Sequence, residues 1–192
     1  MISVSTKIIT DSTGFENCGN YYYYSASSGQ PPRLYQQILS RAKKSIDIWD
    51  PYFTVEAAKI FDEITQSNIN INILTKLKIV NKYDTQAKEE IDKFADEIKN
   101  ILRRNGITPN LSIYCYIVKK FEKDWHDRYL IIDEIDAYLV GTSINEQISA
   151  VKDFGIHQIS NPSERDFIIQ KMKACKESCN HRGYNPIGYH RH

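Results

Sequence analysis

The sequence lacks the features that mark membrane-spanning and secreted proteins. It contains no run of about 18 apolar residues, so nothing in it is expected to cross a bilayer. The first residues, Met1-Ile-Ser-Val-Ser-Thr, are too polar for a secretory signal. Cysteine is sparse, and of the four (Cys18, Cys115, Cys175 and Cys179) the second lies in an apolar run typical of a buried, reduced thiol. These absences together predict a cytoplasmic protein.

An excess of charge of one sign is also missing. The chain has 25 Lys and Arg against 24 Asp and Glu, a net charge of +1. Proteins that coat nucleic acid without specificity usually carry a clear basic excess, so any polyanion must be bound by a local patch. No cluster of carboxylates suggests a two-metal nuclease. We therefore predict chemistry that uses no metal and no other cofactor.

The apolar positions predict an α/β fold with a mixed central sheet flanked by helices on both faces. Helical spacing is found over residues 33–44, from Thr54 to about 64, over 85–104 and over 163–175, and strand patterns over 45–50, 69–74, 111–118, 129–132, 137–140 and 154–159. The segment up to residue 30 predicts a strand or two. Strands alternate with helices early and then follow one another, which is typical of a mixed sheet covered by helices.

The composition changes near Cys175. We predict a single domain over residues 1–175 and a polar, partly disordered tail over 176–192. Cys175, Cys179, His181 and His190 could supply four zinc ligands, but their spacing matches no familiar zinc finger. A polar tail without metal is the preferred interpretation.

The segment over residues 125–133 carries the most chemical information. If the chain is extended from His126, side chains alternate between faces, so His126 and Arg128 share one face and Asp133 falls on the other. Arg offers a planar fork of N–H donors that matches two phosphate oxygens, and His can act as nucleophile or proton carrier near neutral pH. This pair predicts a site for a phosphodiester.

Further polar side chains follow the next predicted strand. Ser143 and Asn145 are two residues apart at its end, where a rigid sheet can present neutral donors to a ligand. Each residue also has an ordinary interpretation: His126 could be a surface residue, and Arg128 could pair with Asp127 or Glu134. These residues, taken together in their order, indicate a functional site more strongly than any one of them alone.

Two other features have weaker functional interpretations. The run Tyr21–Tyr24 could stack bases, although core or interface packing is the commoner role of such residues. His157 alternates within an apolar strand and is interpreted as hydrogen-bonded.

The set resembles the signature of the phospholipase D superfamily, His-x-Lys-x4-Asp followed by Gly-Ser-x-Asn. His126, Arg128 and Asp133 reproduce the spacing of the first element, and Gly141-Thr-Ser-Ile-Asn145 resembles the second. Residues 46–53 and 71–75 look like the early core strands of that family, so the likeness spans residues 34–173. It implies a phospholipase D-like fold.

In that family two copies of the motif meet at one site, and chains with a single copy form homodimers. By resemblance, His126 attacks phosphorus to give a phosphohistidine, and the partner's His126 protonates the leaving oxygen. Arg128 and Asn145 hold the non-bridging oxygens, and Ser143 assists them.

The resemblance also implies an acidic residue that orients the histidine. Asp153 is the best match and Glu146 the second choice. Thr142 is a second choice for a further site residue, and Asp133 braces its strand as a structural group.

Two departures from the family pattern leave two functions open. Arg128 replaces the usual Lys, and Asn145 lies two residues further from Asp133 than the pattern gives. The first function is a metal-independent phosphodiesterase, with nucleic acid as the expected substrate. The second is a catalytically inactive module that binds phosphate, an acidic phospholipid or nucleic acid.

Overall fold

The computed structural model describes residues 9–10, 15–18, 20–24, 33–62, 64, 66, 68–75, 85–107, 110–115, 127–145 and 154–181. The strands are β1 (Ile9–Thr10), β2 (Phe15–Cys18), β3 (Tyr21–Tyr24), β4 (Ser45–Trp49), β5 (Asn70–Thr75), β6 (Asn110–Cys115), β7 (Arg128–Ile132), β8 (Asp136–Val140) and β9 (Phe154–Gln158). The helices are α1 (Arg33–Leu39), a 3-10 helix (Glu56–Phe61), α2 (Thr85–Arg104) and α3 (Pro162–His181).

All of these strands belong to one mixed sheet. Its nine strands lie in the order β1-β2-β3-β9-β8-β7-β4-β5-β6. The pairs β4–β5 and β5–β6 are parallel, and every other pair is antiparallel. The predicted mixed sheet is therefore confirmed, and β4 is the strand at which the parallel and antiparallel parts meet.

Helices pack on both faces of the sheet, and the residues of its central strands alternate between two hydrophobic clusters. On the first face, Ile48 and Leu130 pack with apolar residues of α1, the 3-10 helix and α2. On the second face, Trp49 and Ile131 pack against Ile168, Ile169 and Met172 of α3. Burying each such side chain contributes roughly 1.5–3 kcal/mol. The predicted helices on both faces are confirmed.

The 3-10 helix and α2, both on the first face, differ in how well the sequence predicts them. Helix α2 has the predicted bounds and ends in a turn where Gly106 has φ 74°, a conformation that glycine adopts without strain. The segment after Thr54 was expected to be an α-helix but forms a 3-10 helix with no side-chain cap. The hydroxyl and backbone N–H of Thr54 contact Asn145 instead, so Thr54 does not cap the turn.

Helix α3 ends at His181, beyond the predicted end of this helix at Cys175, while the predicted domain boundary after residue 175 stays a prediction. The helix continues because Lys176 donates to the buried carboxylate of Asp47 at 2.6 Å, which fixes this turn to the second face. Residues 182–192 of the expected tail, including His190, lie outside the described residues. Within the described part, no helix has the length and apolar character needed to cross a bilayer.

Candidate functional site

Polar side chains from three strand ends meet at one edge of the sheet. Asp50 follows β4, Arg128 begins β7, and Ser143 and Asn145 follow β8. In the antiparallel registers, Trp49 lies opposite Tyr129, and Arg128 lies opposite Val140. These registers bring residues that are distant in sequence to the same edge.

Asp50 is the centre of this cluster, and its side chain is fully buried. One carboxylate oxygen accepts the backbone N–H of Ile144 at 2.8 Å and the hydroxyl of Ser143 at 3.1 Å. The other accepts the backbone N–H of Tyr52 at 2.9 Å and lies 3.6 Å from Nε of Arg128. A single side chain therefore joins the loops after β4 and β8 to the start of β7.

The ionisation of Asp50 is governed by opposing effects. Burial raises the pKa of this carboxyl, because the charged form loses its hydration. The backbone donors of Ile144 and Tyr52, the charge of Arg128 and the hydroxyl of Ser143 oppose the shift, but the pKa remains above its ordinary value. The interactions are directed at the carboxylate form.

Arg128 presents a fixed positive charge at this edge. Its side chain is 19% exposed, and its Cζ lies 5.5 Å from the centroid of the Tyr52 ring. A guanidinium has five N–H donors arranged in a planar fork. The fork geometry of a guanidinium matches two oxygens of a phosphate or of a carboxylate.

The amide of Asn145 holds the loop that follows β4. Its Oδ1 lies 3.2 Å from the backbone N–H of Thr54 and 2.9 Å from the Thr54 hydroxyl. Its Nδ2 donates to the carbonyl oxygen of Tyr52. Asn145 and Ser143 thus both donate to protein acceptors in this structure, while Thr142 lies half-buried beside them.

Asp133 lies at the opposite end of β7. Its carboxylate accepts the backbone N–H groups of Lys43, Lys44 and Ser45 at 2.9, 2.7 and 2.9 Å, and so ties the turn after β7 to the start of β4. Burial opposes ionisation here, but these backbone donors outweigh it and lower the pKa of Asp133. Asp133 and Glu134 both have positive φ, 55° and 57°, in the tight turn.

Three of the predicted site residues, His126, Glu146 and Asp153, lie outside the described residues. The expected common face of His126 and Arg128 therefore stays a prediction. Among the residues that are described, no group of three His, Cys, Asp or Glu side chains could hold a metal ion.

Sequence reasoning did not assign a role to Asp50. A signal was available, because Ile46, Ile48 and Asp50 have the same parity along β4. A carboxylate that continues the buried face of a strand must find donors at the strand end, since an unpaired buried charge is costly.

The comparisons with known proteins rest on structure alone. No protein-family model and no curated sequence matches the chain. NucT from Helicobacter pylori is similar with a TM-score of 0.50 and 13% identity, over 76% of this chain and 87% of that one.

Two further structures are similar at lower scores. Nuc from Salmonella typhimurium, a phospholipase D family member, has a TM-score of 0.43 and 13% identity over 75% of this chain and 85% of its own. Phosphatidylserine synthase from Haemophilus influenzae Rd KW20 has a TM-score of 0.47 and 12% identity over 85% of this chain and 42% of its own. The similarity to NucT, together with the sheet and helices described above, shows that the chain has a phospholipase D-like fold.

Proposed function

We propose that the protein is a metal-independent phosphodiesterase that cleaves nucleic acid, at the sheet edge where Asp50, Arg128 and the loop after β8 meet. The observation that carries this proposal is the guanidinium of Arg128, held beside a buried carboxylate at a strand end in a phospholipase D-like fold. A charged donor that is fixed before the ligand arrives needs little reorganisation to bind a phosphate. We expect such an enzyme to act in the cytoplasm.

In this proposal the protein acts as a homodimer that combines two copies of the motif. His126 attacks phosphorus, the partner's His126 protonates the leaving oxygen, and water then releases the product from the phosphohistidine. Splitting one displacement into two easier steps lowers the barrier of each. Asp153 orients His126, with Glu146 as the second choice.

Arg128 is the main phosphate-binding group in this proposal. Ser143 and Asn145 donate hydrogen bonds to Asp50 and Tyr52, so they hold the site together and reach phosphate only if these contacts rearrange. Thr142 is the second choice for an additional donor from the same loop.

A second candidate function is a binding module without turnover, for nucleic acid or an acidic phospholipid. The observation that favours it is that polar groups of the site already bind one another. Asp50 balances the charge of Arg128, and the side-chain donors of Ser143 and Asn145 are engaged by the protein. Such a site would bind a phosphate group without stabilising a transition state.

The test measures cleavage of a labelled single-stranded oligonucleotide in excess EDTA. We expect the wild type to cleave it, His126→Ala to lose turnover by about 10²- to 10⁴-fold, and Arg128→Ala to lose affinity by about 10- to 100-fold. The matched control is His157→Ala, because His157 is exposed on β9, on the second face of the sheet.

The outcomes separate the two functions. Cleavage that needs a metal ion, or that survives His126→Ala, contradicts the proposed mechanism. Binding that depends on salt and on Arg128, without any cleavage, supports the binding module instead. Light scattering tests the dimer, since a purely monomeric active protein would contradict a shared site.

A further inference from the structure

Tyr52 is an exposed aromatic residue beside the proposed phosphate-binding group. Its side chain is 48% exposed, and Cζ of Arg128 lies 5.5 Å from the centroid of its ring. Single exposed aromatic residues are common on protein surfaces. This one differs because a cation that suits phosphate lies over its ring.

The backbone of Tyr52 is fixed on both sides by side chains of the site. Its N–H donates to Oδ1 of Asp50 at 2.9 Å, and its carbonyl oxygen accepts a hydrogen bond from Nδ2 of Asn145. The neighbouring backbone is held as well, since the N–H of Phe53 donates to the carbonyl oxygen of Asp50 at 3.1 Å. A ring on such a backbone loses little conformational freedom when it binds a ligand.

The same contacts explain why the loop does not bury this ring. Phe53, the next residue, is almost fully buried in the cluster on the first face. Side chains of neighbouring residues point in different directions, so the fixed loop that buries Phe53 presents Tyr52 outward. The exposure of Tyr52 follows from the anchoring by Asp50 and Asn145.

We propose that Tyr52 stacks an unpaired base while Arg128 holds an adjacent phosphate, which makes single-stranded nucleic acid the substrate class. This inference rests on the proposed function and specifies its substrate. Stacking on an aromatic ring accepts any base, because every base has a π face. A lipid phosphodiester has no such flat group next to its phosphate.

Tyr21 provides a matched comparison within the chain. It is 44% exposed, close to the value for Tyr52. Its ring lies on the second face, against Gly155 and near His157, whereas Arg128 continues the first face. Substitution of Tyr21 therefore tests whether any exposed tyrosine of the chain can stack a base.

The experiment compares binding of oligothymidine with binding of an abasic oligonucleotide of the same length. We expect Tyr52→Ala to weaken binding of oligothymidine by roughly 5- to 100-fold and binding of the abasic strand by less than about twofold. Tyr52→Trp retains binding, and Tyr21→Ala matches the wild type.

Several results would overturn the inference while leaving the proposed function intact. Equal losses for the two oligonucleotides in Tyr52→Ala, or an equal loss in Tyr21→Ala, would exclude base stacking at Tyr52. Thermal unfolding of each variant accompanies these measurements, and Tyr52→Trp separates loss of the ring from a folding defect. Failure of the wild type to bind either strand would contradict the proposed function itself.

Discussion

Asp50 and Asp133 are carboxylates at opposite ends of the same pair of strands, β4 and β7. Both accept backbone N–H groups, Asp50 from Tyr52 and Ile144 and Asp133 from three consecutive residues after α1. They differ in their surroundings. Asp50 is fully buried beside Arg128, and its pKa is raised, whereas Asp133 is half-buried and its pKa is lowered.

The difference shows that a carboxylate which accepts backbone N–H groups can either stabilise the fold or reduce its stability. At the turn after β7, backbone donors more than offset the loss of hydration, and the carboxylate stabilises the fold. At Asp50, the loss of hydration outweighs the donors, so the protein keeps a buried acidic group at some cost in stability. Buried groups with shifted pKa values are frequent at functional sites.

The largest expected effect comes from Asp50→Asn. The amide cannot balance the charge of Arg128. Its NH₂ group also replaces an oxygen that accepts a hydrogen bond in the wild type, so at least one donor loses its acceptor. We expect a loss of about 3 kcal/mol in the free energy of unfolding, measured with urea. A loss below about 0.5 kcal/mol would contradict the central position given to Asp50.

A smaller effect is expected from Asp133→Asn. The amide keeps one acceptor but loses the charge that strengthens the bonds from Lys43, Lys44 and Ser45. We expect a loss of about 1–2 kcal/mol at neutral pH, because hydrogen bonds to a charged acceptor are stronger than those to a neutral one. Binding of oligonucleotide is expected to be unchanged, and a loss of affinity would place Asp133 in the site rather than in the scaffold.

The two variants should also respond to pH in opposite directions. The lowered pKa of Asp133 means that its contribution is present above the unfolded value of about 3.9 and is lost as pH falls through the folded pKa. The raised pKa of Asp50 favours the protonated form, so its contribution declines as pH rises through the folded pKa. Urea unfolding from acid to neutral pH should show the deficit of Asp133→Asn growing and that of Asp50→Asn shrinking.

The smallest effect is expected from Lys43→Ala. Asp133 contacts the backbone N–H of Lys43, which the substitution retains, and the side chain is exposed. The free energy of unfolding should change by less than about 0.5 kcal/mol. A larger change would mean that the side chain of Lys43, and not only its backbone N–H, stabilises this turn.

Much of the fold could be predicted because the spacing of apolar residues along the sequence matches the side chains that each strand and helix buries. Strand β4 alternates between the first and second faces, and α2 has an apolar side that matches its burial. The 3-10 helix and the end of α3 could not be predicted, because both depend on partners distant in sequence. Asn145 accepts the hydrogen bond of the Thr54 hydroxyl, and Asp47 accepts that of the Lys176 ammonium group.

The candidate site was predictable only in part for the same reason. Arg128 and the loop after β8 were selected by the order and spacing of functional groups, which local sequence contains. The parity of Asp50 along β4 indicates that it is buried, but its partners depend on pairing between β4 and β7, which spacing along the chain does not reveal. The roles of His126, Glu146 and Asp153 stay predictions.

The contacts of Asp50 also have a consequence for how the protein matures. Its partners Ser143 and Ile144 are 93 and 94 residues away in the chain. Contacts with such large separations form only after the intervening chain has closed its loops, which makes them late events in folding. A chain that is still emerging from the ribosome has β4 long before it has β8, so it cannot assemble the cluster around Asp50. Any ligand binding that depends on this cluster is therefore expected only of chains that extend past Ile144.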